Sequence, residues 1–125
     1  DINRFHKHHH VRKYLRARGK QNYKEVYDII HPLQQMEQPR PLRRSPFYSR
    51  LGDQKAKFFE VMGWERPQWY ETNKDLLKGK NFPNRTGWSA KYWSPIQAAE
   101  HLTTRQTGAL FDITGFVKIE IRQKP

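Results

Sequence analysis

The apolar positions of this chain fall into runs whose spacing changes from one run to the next. Between Gln21 and His31, Tyr23, Val26, Tyr27 and Ile30 stand at i, i+3, i+4 and i+7, one face of a helix, and Pro32 is a stop signal. Ahead of them Arg12, Lys13, Arg16 and Lys20 lie along one side of a further possible helix. Ser45-Pro46 has the grammar of a helix start: a side-chain cap, then a proline where its missing N–H is harmless. A second helix is expected from there to Met62, with Phe47, Leu51, Phe58, Phe59 and Met62 buried, Gly63 as C-terminal cap and Gly52-Asp53 as a weak point. Ser94-Pro95-Ile96-Gln97 repeats the start signal and adds a capping box; Ile96, Ala99 and Leu102 form a narrow stripe before Gly108. From Phe116 to Arg122 the period drops to two, with Val117, Ile119 and Ile121 opposite Lys118, Glu120 and Arg122, a half-buried strand. Such a strand needs partners, and the chain offers few others. The expected fold class is α+β, two or three helices packed on a small sheet.

Between these elements, Leu33 to Arg44 reads as an extended linker with Arg40, Arg43 and Arg44 on a basic edge, and Asn73 to Gly87 as a long loop, a lid or a crossing between subdomains. The segment Gly63-Trp64-Glu65-Arg66-Pro67-Gln68-Trp69-Tyr70 is the densest in large side chains. Trp64, Arg66, Trp69 and Tyr70 are therefore assigned as a packing joint or interface. A second aromatic cluster follows at Trp88, Tyr92 and Trp93. Aromatics interleaved with cations stack on bases in single-strand binders; they also build small cores with an arginine over a ring, the reading preferred for Arg66.

Charge widens the list of partners. The 24 Lys and Arg against 12 Asp and Glu give a net +12, and residues 1–50 carry 12 of the cations with 4 of the acids. Nucleic acid, an acidic protein surface or an anionic ligand would answer that field, as would plain solvent. No cysteine is present, which removes disulfides, thiolate metal sites and a cysteine nucleophile. His6, His8, His9 and His10 form a tract that could ligate metal, but three adjacent histidines cannot converge on one point of a regular element, so no metal site is assigned. Glu100 and His101 fall on the last predicted helix without a partner at useful spacing and are expected at the surface. No catalytic residue is assigned, and cofactor-binding residues are unknown. No apolar run is long enough to span a membrane, and the start, without Met or a signal-peptide core, suggests a piece of something longer.

Five stretches together resemble the dimethylglycine oxidase, dimethylglycine dehydrogenase and sarcosine dehydrogenase family of flavoenzymes: Asp1-Ile2-Asn3-Arg4-Phe5, Val26 to Leu33 (Val-Tyr-Asp-Ile-Ile-His-Pro-Leu), Arg43 to Leu51, Gly63 to Tyr70, and Ala109-Leu110-Phe111-Asp112-Ile113-Thr114. The resemblance covers nearly the whole chain in order, and its most specific element is Gly-Trp-Glu-Arg-Pro. It implies a fragment of a larger multidomain enzyme: residues 1–20 as the tail of the FAD-binding domain, 21–93 as a central linking domain, and 94–125 as the start of an aminomethyltransferase-like folate domain.

In that family an FAD domain oxidises the N-methyl group of a small amino acid, and the second domain passes the one-carbon unit to tetrahydrofolate. The resemblance thus implies FAD and tetrahydrofolate as cofactors of the parent, and the FAD and folate domains as same-chain partners. It further implies a bacterial cytoplasm, or a mitochondrial matrix in a eukaryote. The Gly-x-Gly-x-x-Gly that binds FAD does not occur in these 125 residues, so the segment alone is not expected to bind cofactor or be active. The alternative is a non-catalytic basic binding or regulatory protein on the same scaffold, docked on RNA or in an assembly.

Overall fold

The computed structural model describes residues 11–83 and 85–123. The stretches Asp1–Phe5 and His6–His10 lie outside them. In chain order the elements are α1 (Arg12–Glu25), α2 (Tyr48–Asp53), β1 (Ala56–Val61), β2 (Trp64–Tyr70), a 3-10 helix (Glu71–Leu77), a 3-10 turn (Trp88–Ala90) and α3 (Pro95–Gln106). Helices beside one small antiparallel sheet are an α+β arrangement, as expected.

The centre is the β1–β2 hairpin. Met62 and Gly63 form its two-residue loop at φ 51° and 84°, and positive φ at both positions is what a tight turn matched to strand twist requires. Val61 pairs with Trp64, Phe59 with Arg66 and Phe58 with Pro67; the register then slips, leaving Gln68 as an extra residue before Lys57 meets Trp69. Proline has no N–H for a ladder and is tolerated beside such a bulge. This corrects the single helix expected from Ser45 to Met62. The helix runs only from Tyr48 to Asp53, ending at the weak point, and Gly63 is a hairpin residue, not a helix cap. Phe58 and Phe59 lie instead on a strand that buries several successive positions partway, and Met62 is exposed in the hairpin loop.

The N-terminal expectation also shifts. The helix is the basic stretch Arg12–Glu25, whereas Tyr23, Val26, Tyr27 and Ile30, read as its buried face, are exposed. The residue that α1 buries is Gln21. The region 73–87 begins with the 3-10 helix, which packs against α3, so it is not a long loop throughout.

α3 matches its sequence signals. Ser94 Oγ accepts from Ile96 N–H at 3.3 Å, Pro95 occupies the first turn, and Ile96 and Ala99 are buried. The return bond expected from Gln97 is not made; the cap rests on Ser94 alone. The strand predicted at Phe116–Arg122 does not form: the run lies outside the sheet, with Val117 84% and Ile121 92% exposed.

Candidate functional site

Two features stand out: a polar clasp between the linker and the hairpin, and a cavity between β2 and α3.

The clasp starts on α1. Gln21 Oε1 accepts from the backbone N–H of Glu37 at 3.0 Å and of Gln38 at 2.7 Å, satisfying two linker donors with one buried side chain. Further along, Gln35 Oε1 accepts from Glu60 N–H of β1 at 2.6 Å. Arg40 then reaches across to β2, donating from Nε to Glu65 Oε1 at 2.9 Å and from Nη2 to Glu65 Oε2 at 2.5 Å. Glu65 is only 6% exposed. A planar guanidinium forked onto a carboxylate is the strongest ordinary ion-pair geometry, and the Glu65 hydrogen bond raises the Arg40 pKa against the opposing effect of burial. Three residues on, Arg43 N–H donates to Gly63 O and Glu65 N–H donates to Arg43 O, both at 2.9 Å. Arg43 thus forms a short parallel bridge to Trp64, and its guanidinium lies 5.8 Å from that indole ring.

The cavity, of about 600 Å³, is lined by Arg66 and Tyr70 of β2, Asn73, Glu100 and His101 of α3, and the 108–112 segment ending in Asp112, among others. Glu100, expected at the surface, instead ties elements together: its Oε1 accepts from Tyr70 N–H at 2.9 Å and Asn73 Nδ2 at 2.7 Å. Burial, then the negative charges of Glu100 and Asp112, push the Tyr70 phenol above its ordinary pKa, so it stays protonated. At Asp112 partial burial acts to raise the carboxyl pKa, but hydrogen bonds from Ser45 and Thr114 and the charge of Lys118 outweigh it and hold the group below its ordinary value. Asn73, Glu100 and Asp112 are thus engaged in holding neighbouring elements.

The four residues singled out from sequence do not form one cluster. Trp64 packs between Arg43 and Gly115, where an added Cβ would lie 3.5 Å from the indole. Arg66 stands over the Phe116 ring at 4.9 Å and faces the cavity with Tyr70. Trp69 donates from Nε1 to Glu71 at 2.7 Å and lines a separate cleft with Leu33 and Tyr92. In the second aromatic cluster His31, not foreseen, stacks on Trp88 at 4.6 Å and bonds Trp88 O through Nδ1 at 2.8 Å. Sequence reasoning missed Gln21, Arg40, Glu65 and Glu100 because their partners are 16 or more residues away. The one available signal was an arginine set between Pro39 and Pro41, a charge on an otherwise stiff linker. Among the described residues no group of three or more His, Asp or Glu side chains is arranged to hold a metal, and no helix is long and apolar enough to cross a membrane.

What the geometry defines is a linker and a hairpin held together by part-buried polar contacts. Residues 1–45 match the model of the FAD dependent oxidoreductase central domain, and residues 47–124 match that of the GCVT N-terminal domain. The chain belongs to the FAD-dependent N-methyl amino acid oxidase family. It is 35% identical over 121 residues to the 4-methylaminobutanoate oxidase (formaldehyde-forming) of Paenarthrobacter nicotinovorans, covering 97% of this chain and 14% of that protein. It is 32% identical over 122 residues to the mitochondrial pyruvate dehydrogenase phosphatase regulatory subunit of Mus musculus, with the same 97% and 14% coverage. Over 72 residues, 56% of this chain and 8% of the relative, it is 36% identical to mouse mitochondrial sarcosine dehydrogenase. The chain thus spans about one seventh of the length of the first two relatives.

Proposed function

We propose that this chain is the connecting segment of a polypeptide that demethylates a small N-methylated amino acid, of the dimethylglycine or sarcosine type, and passes the one-carbon unit to tetrahydrofolate. The observation that carries the reading is the abutment of an FAD-oxidoreductase match and a GCVT match within one clasped fold. FAD, when bound in the parent, would accept a hydride from the N-methyl carbon. The residues here do not fit an FAD site, since no two of the seven glycines stand in a Gly-x-Gly pattern. No catalytic step is therefore assigned to them, and their part is to hold the two domains in a set relation. The two matched ranges, 1–45 and 47–124, meet at residue 46, and the divisions at 20 and 93 remain the proposed limits of the central linking domain. Trp64, Arg66, Trp69 and Tyr70 remain proposed packing residues of that junction. The parent works in a bacterial cytoplasm or, in a eukaryote, the mitochondrial matrix.

The test is to purify the full-length parent and add sarcosine, dimethylglycine or 4-methylaminobutanoate without oxygen. Bleaching of bound flavin and, with tetrahydrofolate present, formation of methylene-tetrahydrofolate support the proposal. A yellow protein that none of the three bleaches overturns the substrate class, and a colourless one overturns the oxidase reading. A second reading, a non-catalytic regulatory protein, draws on the regulatory-subunit relative, which matches as much of the chain as the oxidase does. The colourless outcome would favour it, and steeply salt-dependent binding of single-stranded RNA would favour an RNA-docked form.

A further inference from the structure

The family boundary and the strongest polar contacts do not coincide. The boundary falls at residue 46, yet Arg40 and Arg43 on the oxidoreductase side bond to Gly63 and Glu65 on the GCVT side. The first matched segment thus lays a single parallel bridge on the hairpin edge of the second and anchors it with a fork onto the buried Glu65 carboxylate. We infer that Arg40 and Glu65 form an interdomain clasp, with Arg40 a positioning residue that fixes the linker on the GCVT hairpin and so sets the relation between the two catalytic domains. This rests on the proposed function for its use, though not for its existence.

A linker that merely joined two domains would leave its polar groups to water and would tolerate sliding. Here Arg40 and Arg43 stand three apart, Arg40 on the Glu65 carboxylate and Arg43 on the backbone of Gly63 and Glu65, so sliding by one position breaks the fork and both backbone bonds together. Moving Arg40 away would also leave a carboxylate that is 6% exposed without its cation. The register is therefore held by an all-or-none set of contacts.

The ladder supplies its own reporter. Trypsin cuts after arginine only when several residues adopt its extended binding conformation, and the N–H and C=O of Arg43 are both engaged, so the Arg43–Arg44 bond is protected while the clasp is closed. In the full-length parent, cleavage at this bond would be followed by mass spectrometry under native conditions. Arg40→Met is expected to speed it about 100-fold, by breaking a buried pair, and Arg40→Lys, which keeps charge but loses the fork, about 10-fold. The exchange Arg40→Glu with Glu65→Arg should recover part of the protection. Cleavage of Arg40→Met and Arg40→Lys at the wild-type rate would overturn the clasp.

The second readout asks whether the clasp positions the domains. With the parent turning over, Arg40→Lys should leave the rate of flavin reduction unchanged while more of the one-carbon unit escapes as free formaldehyde rather than methylene-tetrahydrofolate. Unchanged partition with loss of protection would overturn the positioning role and leave a purely structural pair. If the wild-type parent reduces no flavin, the proposed function falls, and the protease result alone decides the clasp.

Discussion

The linker side of the hairpin and the C-terminal run are opposites. On the linker side, Gln21 and Glu65, polar residues of the kind usually left in water, are buried because each meets partners of matching geometry. In the C-terminal run, Val117, Ile119 and Ile121 are apolar and alternate as a strand should, yet they are among the most exposed of the described residues. Hydrophobicity predicts burial only where there is a surface to bury against. A forked ion pair or a doubly accepting amide carries its own specification of a partner, so it can order a segment that contributes little apolar area.

That contrast should be sharpest at Glu65. Glu65→Ala removes a buried carboxylate that accepts two hydrogen bonds from the half-buried Arg40 guanidinium and is expected to destabilise the fold by about 3 kcal/mol, read as a lower urea midpoint of the parent. A change under about 0.5 kcal/mol would mean that the clasp is decorative and the comparison collapses. Gln21→Ala should come next, at about 2 kcal/mol, because two backbone N–H groups of the linker lose their acceptor. Faster amide exchange confined to Glu37 and Gln38 would locate the loss.

Asp112 sits where the two regions meet, bonded to Ser45 and Thr114. Its folded pKa lies below the ordinary value of 3.8, so its contribution is fully present above that pH and drains away as pH falls below it. Asp112→Asn should therefore lower stability on the neutral side and leave the acid side unchanged, flattening the profile between them. A wild-type acid slope retained in the variant would remove Asp112 from the account. The smallest effect is expected at Val117→Lys in this 125-residue chain, under about 0.5 kcal/mol, since the side chain is 84% exposed. The same substitution made in the full-length parent would sharpen the comparison. A cost of several times that there would mean that the run is partnered in the longer protein, and an equally small cost would mean that its alternation has no structural use.

Much of the fold was legible where signals are local. The α3 start at Ser94-Pro95, its stripe of Ile96 and Ala99, and the weak point after Gly52 all depend on residues a turn apart, and each stands where the pattern put it. The hairpin was not legible: Met62-Gly63 lacks the Asn-Gly or Asp-Gly signature. The resemblance in Gly-Trp-Glu-Arg-Pro identified the family, while the role of its Glu65 depended on Arg40, 25 residues earlier.

The sequence by itself determined the basic charge and the last helix, because these follow from composition, short-range capping and a stripe within one element, and its motifs carried the resemblance to the family. Only the tertiary structure decided that the linker is clasped, that Glu100 joins β2 to the 3-10 helix, and that the apolar run beyond Gly108 lies open. Those outcomes depend on which distant group arrives with the right geometry, and a carboxylate or an alternating strand looks the same in sequence whether or not its partner comes.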